Sequence, residues 1–486
     1  MKLRGLLKNI NYEILQGNED INISNIQYDS RKVTEGNLFV CIVGFNVNGH
    51  DYAKSAVEKG AKALLVQEDI SIINDNVTVI KVDNTRETIA YVADRYYNHP
   101  SNKFRLVGIT GTNGKTSTTY LTKGIFEEYG KKTGVIGTIE NRIGNEIIKA
   151  TRTTPESLEL QELFYNMVQK NVNGVVMEVS SHSLDLHRVD GCQFDVGVYT
   201  NLTLDHLDYH KTMENYRDAK LKLFNMCEIG VINIDDEYGQ YMIDNSSCKK
   251  YITYGIDNDK ADLNATNLEI DLSGVKFDIV YDNIKYSISL VTPGKFSVYN
   301  SLAAMGANIA LKVPMDIIVN GLKNNNGIKG RFQSFTSKEG YNVIVDYAHA
   351  PDGLLNVLKS IKEFAKGRII TVFGCGGDRD TSKRPIMGNI AGTYSDYCII
   401  TSDNPRTENP LAIIDEIQQG MDETKCDYVN IVDRQEAIHN ALSMAEKEDI
   451  ILIAGKGHED YQILHDKVIH FDDAEVVINY FNNIEK

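Results

Sequence analysis

The sequence lacks the features that mark several large classes of protein. Basic residues are not in excess: 51 lysines and arginines stand against 67 aspartates and glutamates, and a formal charge of −16 argues against a nucleic-acid-binding surface. No apolar run approaches the roughly 18 residues that a membrane helix needs. The first residues, MKLRGLLKNINYEI, are interrupted by Lys8, Asn9 and Asn11 where a signal peptide would be apolar. We therefore expect a cytoplasmic protein that binds neither nucleic acid nor membrane.

Cysteine and proline are also scarce. The seven cysteines are scattered and include no C-x-x-C pair, so the sequence supports neither a disulfide framework nor a cysteine-ligated zinc site. With eight prolines, 42% hydrophobic residues and 24% charged residues, the composition is that of a soluble globular protein. Because 486 residues exceed what one core usually fills, three domains are expected.

Alternating strands and helices predict an α/β fold in three domains. Residues 1–104 carry short apolar runs and a helix, typical of a small N-terminal α/β domain. Residues 105–330 repeat strand, loop and helix, which predicts a mostly parallel sheet. Within them, residues 262–291 alternate polar and apolar residues, as in an antiparallel hairpin at a sheet edge. Residues 331–486 contain five further apolar strands separated by helices, typical of a Rossmann-like, doubly wound domain.

The stretch GITGTNGKTST, which follows an apolar strand, is typical of the phosphate loop of a P-loop-type ATPase domain. Its glycines let backbone N–H groups approach phosphate oxygens at the positive end of the following helix. The lysine could reach the β- and γ-phosphates, and either hydroxyl after it could ligate Mg²⁺. The loop is one residue short of the common pattern, since Ile109 stands where a glycine is needed, and a strand-to-helix turn with an incidental lysine is the alternative. The predicted nucleotide-binding residues of this loop are Gly111, Thr112, Asn113, Gly114, Lys115, Thr116 and Ser117.

Two further residues stand where a parallel sheet presents ligands, at the carboxyl ends of strands. Glu178 ends VVMEVSSHS, and His206 lies in TNLTLDHLDYH. Mg²⁺ bound to ATP favours carboxylates and water, and a neutral imidazole can take one position. Taken alone, a histidine such as His206 is more often a structural residue than a ligand. Lys220, in YRDAKLKLF, is explained by its neighbours alone as part of a solvated helix face.

Charged residues of both signs follow three strands of the last domain. Arg379 lies in VFGCGGDRDTSKRP, Asp403 and Arg406 lie in TSDNPRTENP, and Glu459 lies in AGKGHEDYQ. Because the carboxyl ends of parallel strands meet at one edge of a sheet, these loops could form a pocket for a zwitterion. Ordinary charged surface is the alternative.

Taken in order, these motifs resemble the Mur ligases, the ATP-dependent amide-forming enzymes of peptidoglycan precursor synthesis. The resemblance runs over essentially the whole chain, and the shortened loop is that family's own form. The matching motifs are DSR (29–31), GTNGKTST (111–118), TTPE (153–156), EVSSHSLDLHRV (178–189), TNLTLDHLDYH (200–210), YRDAKLKLF (216–224), YNSLAAMGA (299–307), GR (330–331), DYAHAPDGL (346–354), GCGGDRD and GKGHE.

Within the family, the chain is similar to the subgroup that adds the third residue to UDP-N-acetylmuramoyl-L-alanyl-D-glutamate. Members that resemble DNPR take meso-2,6-diaminopimelate, whereas those that take L-lysine generally lack that arginine. A guanidinium such as Arg406 or Arg379 can pair bidentately with the far carboxylate of diaminopimelate but would repel the ammonium of lysine. The residues that the resemblance implies for diaminopimelate are Arg379, Asp403, Asn404, Pro405, Arg406, Gly455 and Glu459.

The resemblance also implies a mechanism. The glutamyl γ-carboxylate attacks the γ-phosphate of ATP, and the diaminopimelate amine then attacks the acyl phosphate. Positive charge from Lys115 and Mg²⁺ must be fixed beforehand, because the first step joins anions. The lysine that matches Lys220 is carbamylated by CO₂ in this family, which makes it an anionic metal ligand. The implied catalytic residues are Lys115, Glu178, His206 and Lys220, and the implied metal ligands are Thr116, Ser117, Glu178, His206 and carbamylated Lys220.

For the other substrates, the resemblance points to two more groups of residues. Those for the nucleotide-sugar dipeptide are Ser30, Thr153, Thr154, Ser180 and Arg188, and those on the adenosine side of ATP are Asn300, Arg331 and Asp346. Residues 45–47 depart from the His-Gln-Ala that is frequent in the family, and Arg152 and Leu186 replace polar amide residues. We expect a monomer in which ATP lies between the central and last domains, whose closure excludes water from the acyl phosphate.

Three alternatives stay open at this point. The first is an L-lysine-adding ligase of the same subgroup. The second is a P-loop kinase or regulatory NTPase, which would release phosphate without any amine acceptor. The third is a non-catalytic binding protein that kept the fold. A folylpolyglutamate synthetase would share the loop but is not expected to carry DNPR together with GKGHE.

Overall fold

The strands of the computed structural model form five sheets among the described residues, 1–71 and 75–484. Three of these sheets are each covered by helices and follow one another along the chain, so the fold is α/β in three parts, as predicted. None of the helices within the described ranges combines the length and the apolar character needed to cross a membrane.

The N-terminal unit is a small α/β layer. Its elements are α1 (Leu3–Leu6), β1 (Glu13–Gln16), β2 (Ile26–Gln27), β3 (Leu38–Val40), α2 (Ala53–Glu58), β4 (Ala63–Val66), β5 (Thr78–Lys81) and α3 (Thr85–Tyr96), with 3₁₀ turns at Gly49–Tyr52 and Pro100–Lys103. The strand order is β1-β5-β4-β3-β2, and only β1 runs antiparallel to its neighbour. Helix α3 begins after Asn84, whose side chain accepts hydrogen bonds from two backbone N–H groups of the first turn.

The central unit contains a nine-stranded, mostly parallel sheet. Its elements are β6 (Arg105–Thr110), α4 (Lys115–Glu128), β7 (Thr133–Ile136), β8 (Glu140–Ile143), β9 (Glu146–Lys149), α5 (Ser157–Gln169), β10 (Gly174–Glu178), α6 (Ser181–Asp185), β11 (Phe194–Tyr199), α7 (Leu207–His210), α8 (Met213–Phe224), β12 (Cys227–Asn233), α9 (Gly239–Asn245), β13 (Lys250–Gly255) and β14 (Leu263–Asn264). The order β14-β13-β12-β11-β6-β10-β7-β8-β9 places β10 and β11 on either side of β6. Successive residues of β6 point to opposite faces, so Leu106 and Val107 enter two different cores.

The segment predicted as a hairpin at a sheet edge is a separate sheet. Strands β15 (Thr266–Asp271), β16 (Gly274–Tyr281) and β17 (Ile284–Leu290) form an antiparallel three-stranded sheet, followed by α10 (Lys295–Ala310) and α11 (Met315–Lys323). The antiparallel pairing is as predicted, but the edge position is wrong. The apolar faces of β16 and β17 pack on the core beneath α10 and α11, and β14 takes the edge of the large sheet.

The C-terminal unit is doubly wound around a six-stranded sheet. Its elements are β18 (Gln333–Thr336), β19 (Asn342–Asp346), α12 (Pro351–Phe364), β20 (Ile369–Phe373), α13 (Lys383–Tyr394), β21 (Tyr397–Ile400), α14 (Pro410–Met421), β22 (Asp427–Asn430), α15 (Arg434–Met444), β23 (Ile450–Ala454), β24 (Tyr461–Leu464), β25 (Lys467–His470) and α16 (Asp473–Ile484). The order is β18-β19-β23-β20-β21-β22, with β18 antiparallel, and cores lie on both faces. The five predicted strands are β19 to β23, and β24 and β25 form a small hairpin of their own.

Candidate active site

The loop between β6 and α4 is held in shape by neighbouring segments. Gly114, just before α4, has a φ of +83°, in the left-handed region that favours glycine. A Cβ at this position would lie 2.3 Å from Oδ1 of Asn300 on α10. The backbone N–H groups of Thr112 and Asn113 each donate a 2.9 Å hydrogen bond to Asn201. The loop is therefore preformed at the positive end of α4, where an anion binds favourably.

Lys115 is the first residue of α4, and its ammonium folds back over the loop. Nζ donates to the backbone oxygens of Gly111 at 2.8 Å and Thr112 at 2.9 Å. Desolvation by burial lowers the pKa of Lys115, while the carboxylates of Glu178 and Asp205 oppose that shift. No carboxylate of the described residues lies within ion-pair distance of this ammonium, so its charge is available to an anion in the loop.

Glu178 ends β10 beside the loop, and its buried carboxylate forms no ion pair with any residue that the structure describes. The residue is only 1% exposed. Thr116 Oγ1 lies 3.0 Å from both carboxylate oxygens, and Thr138 donates through its backbone N–H at 2.9 Å and its hydroxyl at 3.0 Å. A buried carboxylate that is held only by neutral donors suits a divalent cation next to phosphate oxygens.

Lys220 lies on α8 and is 1% exposed. The alternative of a solvated helix face is therefore wrong, because α8 packs this side chain inward. Nζ lies 4.3 Å from the centroid of the Tyr216 ring and forms no hydrogen bond or ion pair with any described residue. Burial holds the pKa of Lys220 well below its ordinary value; the charge of Lys115 lowers it further, and Asp205 opposes the shift. This surrounding favours the neutral, nucleophilic amine.

Aromatic side chains connect α8 to the loops around it. The Tyr216 hydroxyl lies 3.2 Å from Thr112 Oγ1, and its ring stacks on His210 with a centroid distance of 4.9 Å. The ring of His182 lies 5.3 Å from that of His210 and 5.0 Å from that of His206. The phosphate loop, α6, α7 and α8 therefore share one polar aromatic cluster.

His206 immediately precedes α7, and 47% of its side chain is exposed. Its Nε2 lies 3.5 Å from Asp205. Desolvation in the cleft lowers the pKa of His206 to about 4, although Asp205 opposes the shift. The charges of Lys115 and Lys220 act in the same direction as desolvation. The ring is therefore neutral near pH 7, the form in which imidazole binds metal.

The predicted metal ligands lie around the loop in two groups. Thr116 contacts Glu178. His206 and Lys220 both lie beside Tyr216: the ring centroids of His206 and Tyr216 are 6.1 Å apart, and Lys220 Nζ lies 4.3 Å from the Tyr216 centroid. Nowhere in the described ranges do three His, Cys, Asp or Glu side chains cluster closely enough to hold a metal ion alone. A cation here would need further ligands, such as phosphate oxygens or a modified Lys220.

A cleft of about 420 Å³ opens beside the first turn of α4. Ser117, Asn300 and Arg331 are polar residues of its wall. Three more polar residues line it, Thr292, Ser297 and Asn325, and its apolar residues are Leu121, Leu290, Val291, Phe296, Leu322 and Ile328. A cleft next to a phosphate loop that offers both apolar contacts and polar partners suits a purine base. No motif marks its apolar residues, because they come from four elements and from the segments after β17 and α11.

Arg331 and Asp346 lie at the junction of the central and C-terminal units. Arg331 Nη2 donates to Thr116 Oγ1 at 3.2 Å, and its Nε is buried with no partner among the described residues, which leaves a donor for a ligand. Asp346 ends β19, and its carboxylate accepts hydrogen bonds from the backbone N–H groups of Phe332 at 2.7 Å and Ala348 at 2.8 Å. Asp346 therefore fixes the chain next to Arg331 and does not line the 420 Å³ cleft.

Three of the residues predicted for the nucleotide-sugar substrate converge behind Glu178. Thr154 Oγ1 donates to the backbone oxygen of Glu178 at 2.9 Å and accepts from the backbone N–H of Ser180 at 3.1 Å. Arg188 donates to the Thr154 backbone oxygen at 3.2 Å and pairs with Glu156 at 2.9 Å. The structure therefore brings Thr154, Ser180 and Arg188 together.

Thr153 and Ser30 are placed apart from those three. Thr153 Oγ1 lies 3.1 Å from the hydroxyl of Thr138, which itself binds Glu178. Ser30 belongs to the N-terminal unit, where its backbone oxygen accepts a hydrogen bond from Lys59 at 2.9 Å. It forms no hydrogen bond with the group behind Glu178 among the described residues.

A second cleft of about 210 Å³ separates the N-terminal unit from this group. It is lined by Tyr28, Ile42, Arg86, Ile89, Glu156, Ser157 and Leu186. Tyr28 and Arg86 were not predicted from the sequence. Both stand outside any motif, and only the approach of two units makes them neighbours of Glu156.

The loops of the C-terminal unit meet at the carboxyl ends of β20, β21 and β23. Asp403 and Asn404 are 7% and 2% exposed. Asn404 Nδ2 donates to the Glu459 carboxylate at 2.9 Å, and Lys456 Nζ lies 3.3 Å from the same oxygen. A Cβ on Gly455 would lie 2.7 Å from Oδ2 of Asp403. The predicted residues Asp403, Asn404, Gly455 and Glu459 are therefore neighbours.

Arg379 and Arg406 both approach Gly376. A Cβ on Gly376 would lie 2.9 Å from Nη1 of Arg406 and 3.9 Å from Cγ of Arg379. Arg406 donates to the backbone oxygen of Gly377 at 2.7 Å, and Arg379 donates to that of Asp378 at 3.2 Å. Neither guanidinium has a carboxylate partner in the part of the chain that the structure describes, so both can pair with an incoming anion.

Sequence profiles of the Mur ligase family match most of the chain. "Mur ligase family, catalytic domain" matches residues 22–97, "Mur ligase middle domain" matches residues 109–308, and "Mur ligase, glutamate ligase domain" matches residues 330–457. Two curated relatives are named UDP-N-acetylmuramoyl-L-alanyl-D-glutamate--2,6-diaminopimelate ligase. The one from Caldanaerobacter subterraneus subsp. tengcongensis is 50% identical over 100% of both chains, and the one from Clostridioides difficile is 50% identical over 98% of both.

Solved structures agree with the sequence comparisons. A structure of a UDP-N-acetylmuramoyl-L-alanyl-D-glutamate--2,6-diaminopimelate ligase is 31% identical, with a TM-score of 0.74 over 100% of this chain and 99% of that one. The MurF ligase from Thermotoga maritima, solved in complex with ADP, has the same fold at 17% identity, with a TM-score of 0.64 over 94% of this chain and 97% of that one. With half of its residues identical to full-length relatives and three family profiles in order, the chain belongs to the Mur ligase family.

Proposed function

We propose that this protein is an ATP-dependent ligase that adds meso-2,6-diaminopimelate to UDP-N-acetylmuramoyl-L-alanyl-D-glutamate, a step of peptidoglycan precursor synthesis. Relatives that are 50% identical over their full length carry this reaction in their names. The observation that carries the choice of acceptor is the pair Arg379 and Arg406, which lie close to Asp403 and Glu459 and have no acid partner among the described residues. This arrangement suits an amino acid whose far end bears both a carboxylate and an ammonium.

The first step joins two anions, and the preformed loop supplies positive charge. The glutamyl γ-carboxylate attacks the γ-phosphorus of ATP, the bond to the β–γ bridging oxygen breaks, and an acyl phosphate and ADP form. Lys115 turns from its two backbone oxygens to phosphate oxygens, which gives stronger, charge-assisted hydrogen bonds. The base occupies the 420 Å³ cleft between Asn300 and Arg331, and Asp346 supports Arg331 from behind.

The residues present fit Mg²⁺, since Glu178 is a buried carboxylate without a cation and His206 is a neutral imidazole. We assign the metal ligands to Thr116, Ser117, Glu178, His206 and Lys220 in its carbamylated form. When bound, Mg²⁺ supplies positive charge that reduces the repulsion between phosphates and carboxylate.

We assign a carbamate to Lys220. The neutral amine attacks the carbon of CO₂ and releases one proton, which leaves an anionic N-carboxyl group. Burial of the side chain and the charge of Lys115 favour the neutral amine that this reaction needs. Protein incubated with ¹³C-labelled bicarbonate should show a carbamate carbon resonance that is missing in Lys220→Ala. Wild-type protein without such a resonance would contradict the assignment.

In the second step, an unprotonated amine of diaminopimelate attacks the acyl carbon, phosphate leaves with the bonding electrons, and the nitrogen releases one proton to solvent as the amide forms. Arg379 and Arg406 hold the far carboxylate, while Asp403 and Glu459 receive the far ammonium. The residues assigned to this substrate are Arg379, Asp403, Asn404, Pro405, Arg406, Gly455 and Glu459. With the amine held near the acyl carbon, the reaction becomes effectively unimolecular.

The remaining assignments concern the donor substrate and the division of the chain. We assign the nucleotide-sugar dipeptide to Ser30, Thr153, Thr154, Ser180 and Arg188. Its binding falls mainly to a domain of residues 1–104, ATP binding to residues 105–330, and amino-acid binding to residues 331–486. We propose a monomer that works in the cytoplasm.

One assay separates this function from its competitors. Wild-type protein is incubated with UDP-N-acetylmuramoyl-L-alanyl-D-glutamate, ATP and Mg²⁺, together with either diaminopimelate stereoisomers or L-lysine, and the products are identified by mass spectrometry. We expect the meso-diaminopimelate product and stoichiometric ADP. A larger yield with lysine would identify a lysine-adding ligase, and ADP release that needs no amine would identify an NTPase. Lys115→Ala should lower kcat by about a hundredfold or more.

A further inference from the structure

Beneath Arg379 and Arg406 lies a network of charged side chains to which the family resemblance assigns no role. From it we infer that Glu408, paired with Arg384, is a positioning residue for acceptor specificity. It fixes the two arginine-bearing loops, the one after β20 with Arg379 and the one after β21 with Arg406, in the arrangement that binds the far carboxylate of the acceptor. The inference rests on the proposed function and adds a residue that determines how selectively the amino acid is bound.

Arg384 is the centre of this network. It lies on α13, and its side chain is 0% exposed. Arg384 donates two hydrogen bonds, both 2.9 Å long, to the two carboxylate oxygens of Glu408, which makes the pair bidentate. A third, of 3.0 Å, goes to Glu416 on α14, and a fourth, of 3.3 Å, goes to the backbone oxygen of Gly376. The buried guanidinium therefore links α13 and α14 to both arginine-bearing loops.

Glu408 carries the link from one arginine-bearing loop to the other. Besides Arg384, its carboxylate accepts a hydrogen bond from the backbone N–H of Asp378, next to Arg379. The hydroxyl of Thr407 donates to the Asp378 carboxylate at 2.6 Å, which closes a ring of contacts. Nearby, a Cβ on Gly377 would lie 1.9 Å from the backbone oxygen of Pro405, so the two backbones are in direct contact. Neither loop can shift without the other.

Arg406 takes its position from these contacts. Its φ is +52°, which is uncommon for a residue other than glycine and must be held by the surroundings. Nη1 donates to the Gly377 backbone oxygen at 2.7 Å, so its direction follows the loop that Glu408 fixes. On the opposite side, in the hairpin of β24 and β25, the backbone oxygen of Ile463 accepts a hydrogen bond from the Arg406 N–H at 3.2 Å, and the backbone N–H of His465 donates to the Arg406 oxygen at 2.9 Å. Bidentate pairing with a carboxylate tolerates little displacement of a guanidinium.

The test compares Glu408→Gln with Glu416→Gln. Glutamine keeps the size of the side chain at position 408 but cannot accept two charge-assisted hydrogen bonds from Arg384. We expect KM for meso-diaminopimelate to rise about tenfold in Glu408→Gln, with kcat and KM for ATP within about twofold of wild type. Glu416 also pairs with Arg384 but bonds neither loop, so Glu416→Gln is the matched control and should keep wild-type constants.

A double-mutant cycle with Arg406→Ala tests whether Glu408 acts through that arginine. If it does, adding Glu408→Gln to Arg406→Ala raises KM no further, because the group being positioned is already gone. Thr407→Val, which removes only the 2.6 Å bond to Asp378, is the milder variant and should raise the same KM about threefold.

Three results would overturn the inference. They are an unchanged KM for diaminopimelate in both Glu408→Gln and Thr407→Val, an equal effect of Glu416→Gln, and additive effects in the double mutant. Activity of Glu408→Gln toward L-lysine, which has no far carboxylate, should equal that of wild type. Failure of the proposed function itself is distinguishable, because wild-type protein would then form no diaminopimelate product before any variant is compared.

Discussion

His210 links the protonation of one residue to the stability of the site. It is 5% exposed, its ring stacks on Tyr216, and its Nε2 lies 2.8 Å from the Ser181 hydroxyl. Desolvation lowers the pKa of His210 from 6.5 to about 4, and His182 contributes in the same direction. As pH falls below 6.5, the unfolded chain takes up a proton that the folded histidine excludes until about pH 4. The free energy of unfolding therefore decreases as pH falls through this window.

We expect His210→Gln to weaken this pH dependence. Between about pH 7 and pH 5, wild-type protein should lose about 2 kcal/mol more of its free energy of unfolding than the variant. Urea unfolding at the two pH values measures the difference. His465→Gln, in the exposed turn between β24 and β25, serves as the control and should keep the wild-type dependence. Equal losses in wild type and His210→Gln would show that the proton is taken up elsewhere.

The residues of the site differ in how far the sequence reveals them. Lys115 is marked by its local surroundings, because the glycine before it and the helix after it already define a phosphate loop. The environment of Lys220 could not be predicted from YRDAKLKLF, since its burial depends on the packing of α8 against other elements. The residues that line the 420 Å³ cleft could not be predicted from the sequence for the same reason: Phe296 and Ser117 come to line one cleft only in the folded chain.

Helix α4 offers a comparison between its two ends, since a glycine with positive φ lies at each. Gly114 has a φ of +83°, and a Cβ added there would lie 2.3 Å from Oδ1 of Asn300. Gly130 has a φ of +71°, and a Cβ added there would have no atom of the described residues within 4 Å. Alanine at either position should cost about 1 kcal/mol of stability, because the left-handed region is unfavourable for it. Only alanine at position 114 also displaces Asn300 and narrows the loop.

We therefore expect Gly114→Ala to raise KM for ATP about tenfold or more, and Gly130→Ala to leave it unchanged. Steady-state kinetics gives the constants, and thermal unfolding of both variants measures the shared backbone cost. If the two variants lose ATP affinity equally, the close approach of Asn300 to the loop does not shape the nucleotide site.

Among the elements, the long apolar runs were the most predictable. Strands β19, β20, β21 and β23 are buried on both faces, so each reads as an apolar segment in the sequence, whereas β22 is only partly buried. The placement of residues 262–291 was wrong because alternation predicts a half-buried strand but does not say which sheet it joins. Hairpin β24–β25 was missed, since β25 is exposed along its whole length and has no apolar face to recognise.

In the whole molecule, the central and C-terminal units are joined through the site itself. Asp352, on α12, accepts 2.6 Å hydrogen bonds from Asn113 in the phosphate loop and from Thr203 in the segment before His206. The sequence predicts that ATP lies between these units, but it could not give this contact, because Asn113 and Asp352 are 239 positions apart. The position of the C-terminal unit and the shape of the loop are therefore coupled.

We expect Asp352→Ala to loosen this junction. It removes the two hydrogen bonds that cross the junction, a loss of about 2 to 4 kcal/mol, while Asp352→Asn keeps an acceptor oxygen and should lose less. In small-angle X-ray scattering, the ligand-free alanine variant should show a larger radius of gyration than wild type. Its kcat should fall about tenfold, because the acceptor loops no longer meet the phosphate loop in one geometry.

Lys359→Ala, exposed on the same helix, is the control. A wild-type radius with a lowered kcat would place the effect of Asp352 in the loop alone, and wild-type values of both would show that other contacts set the junction.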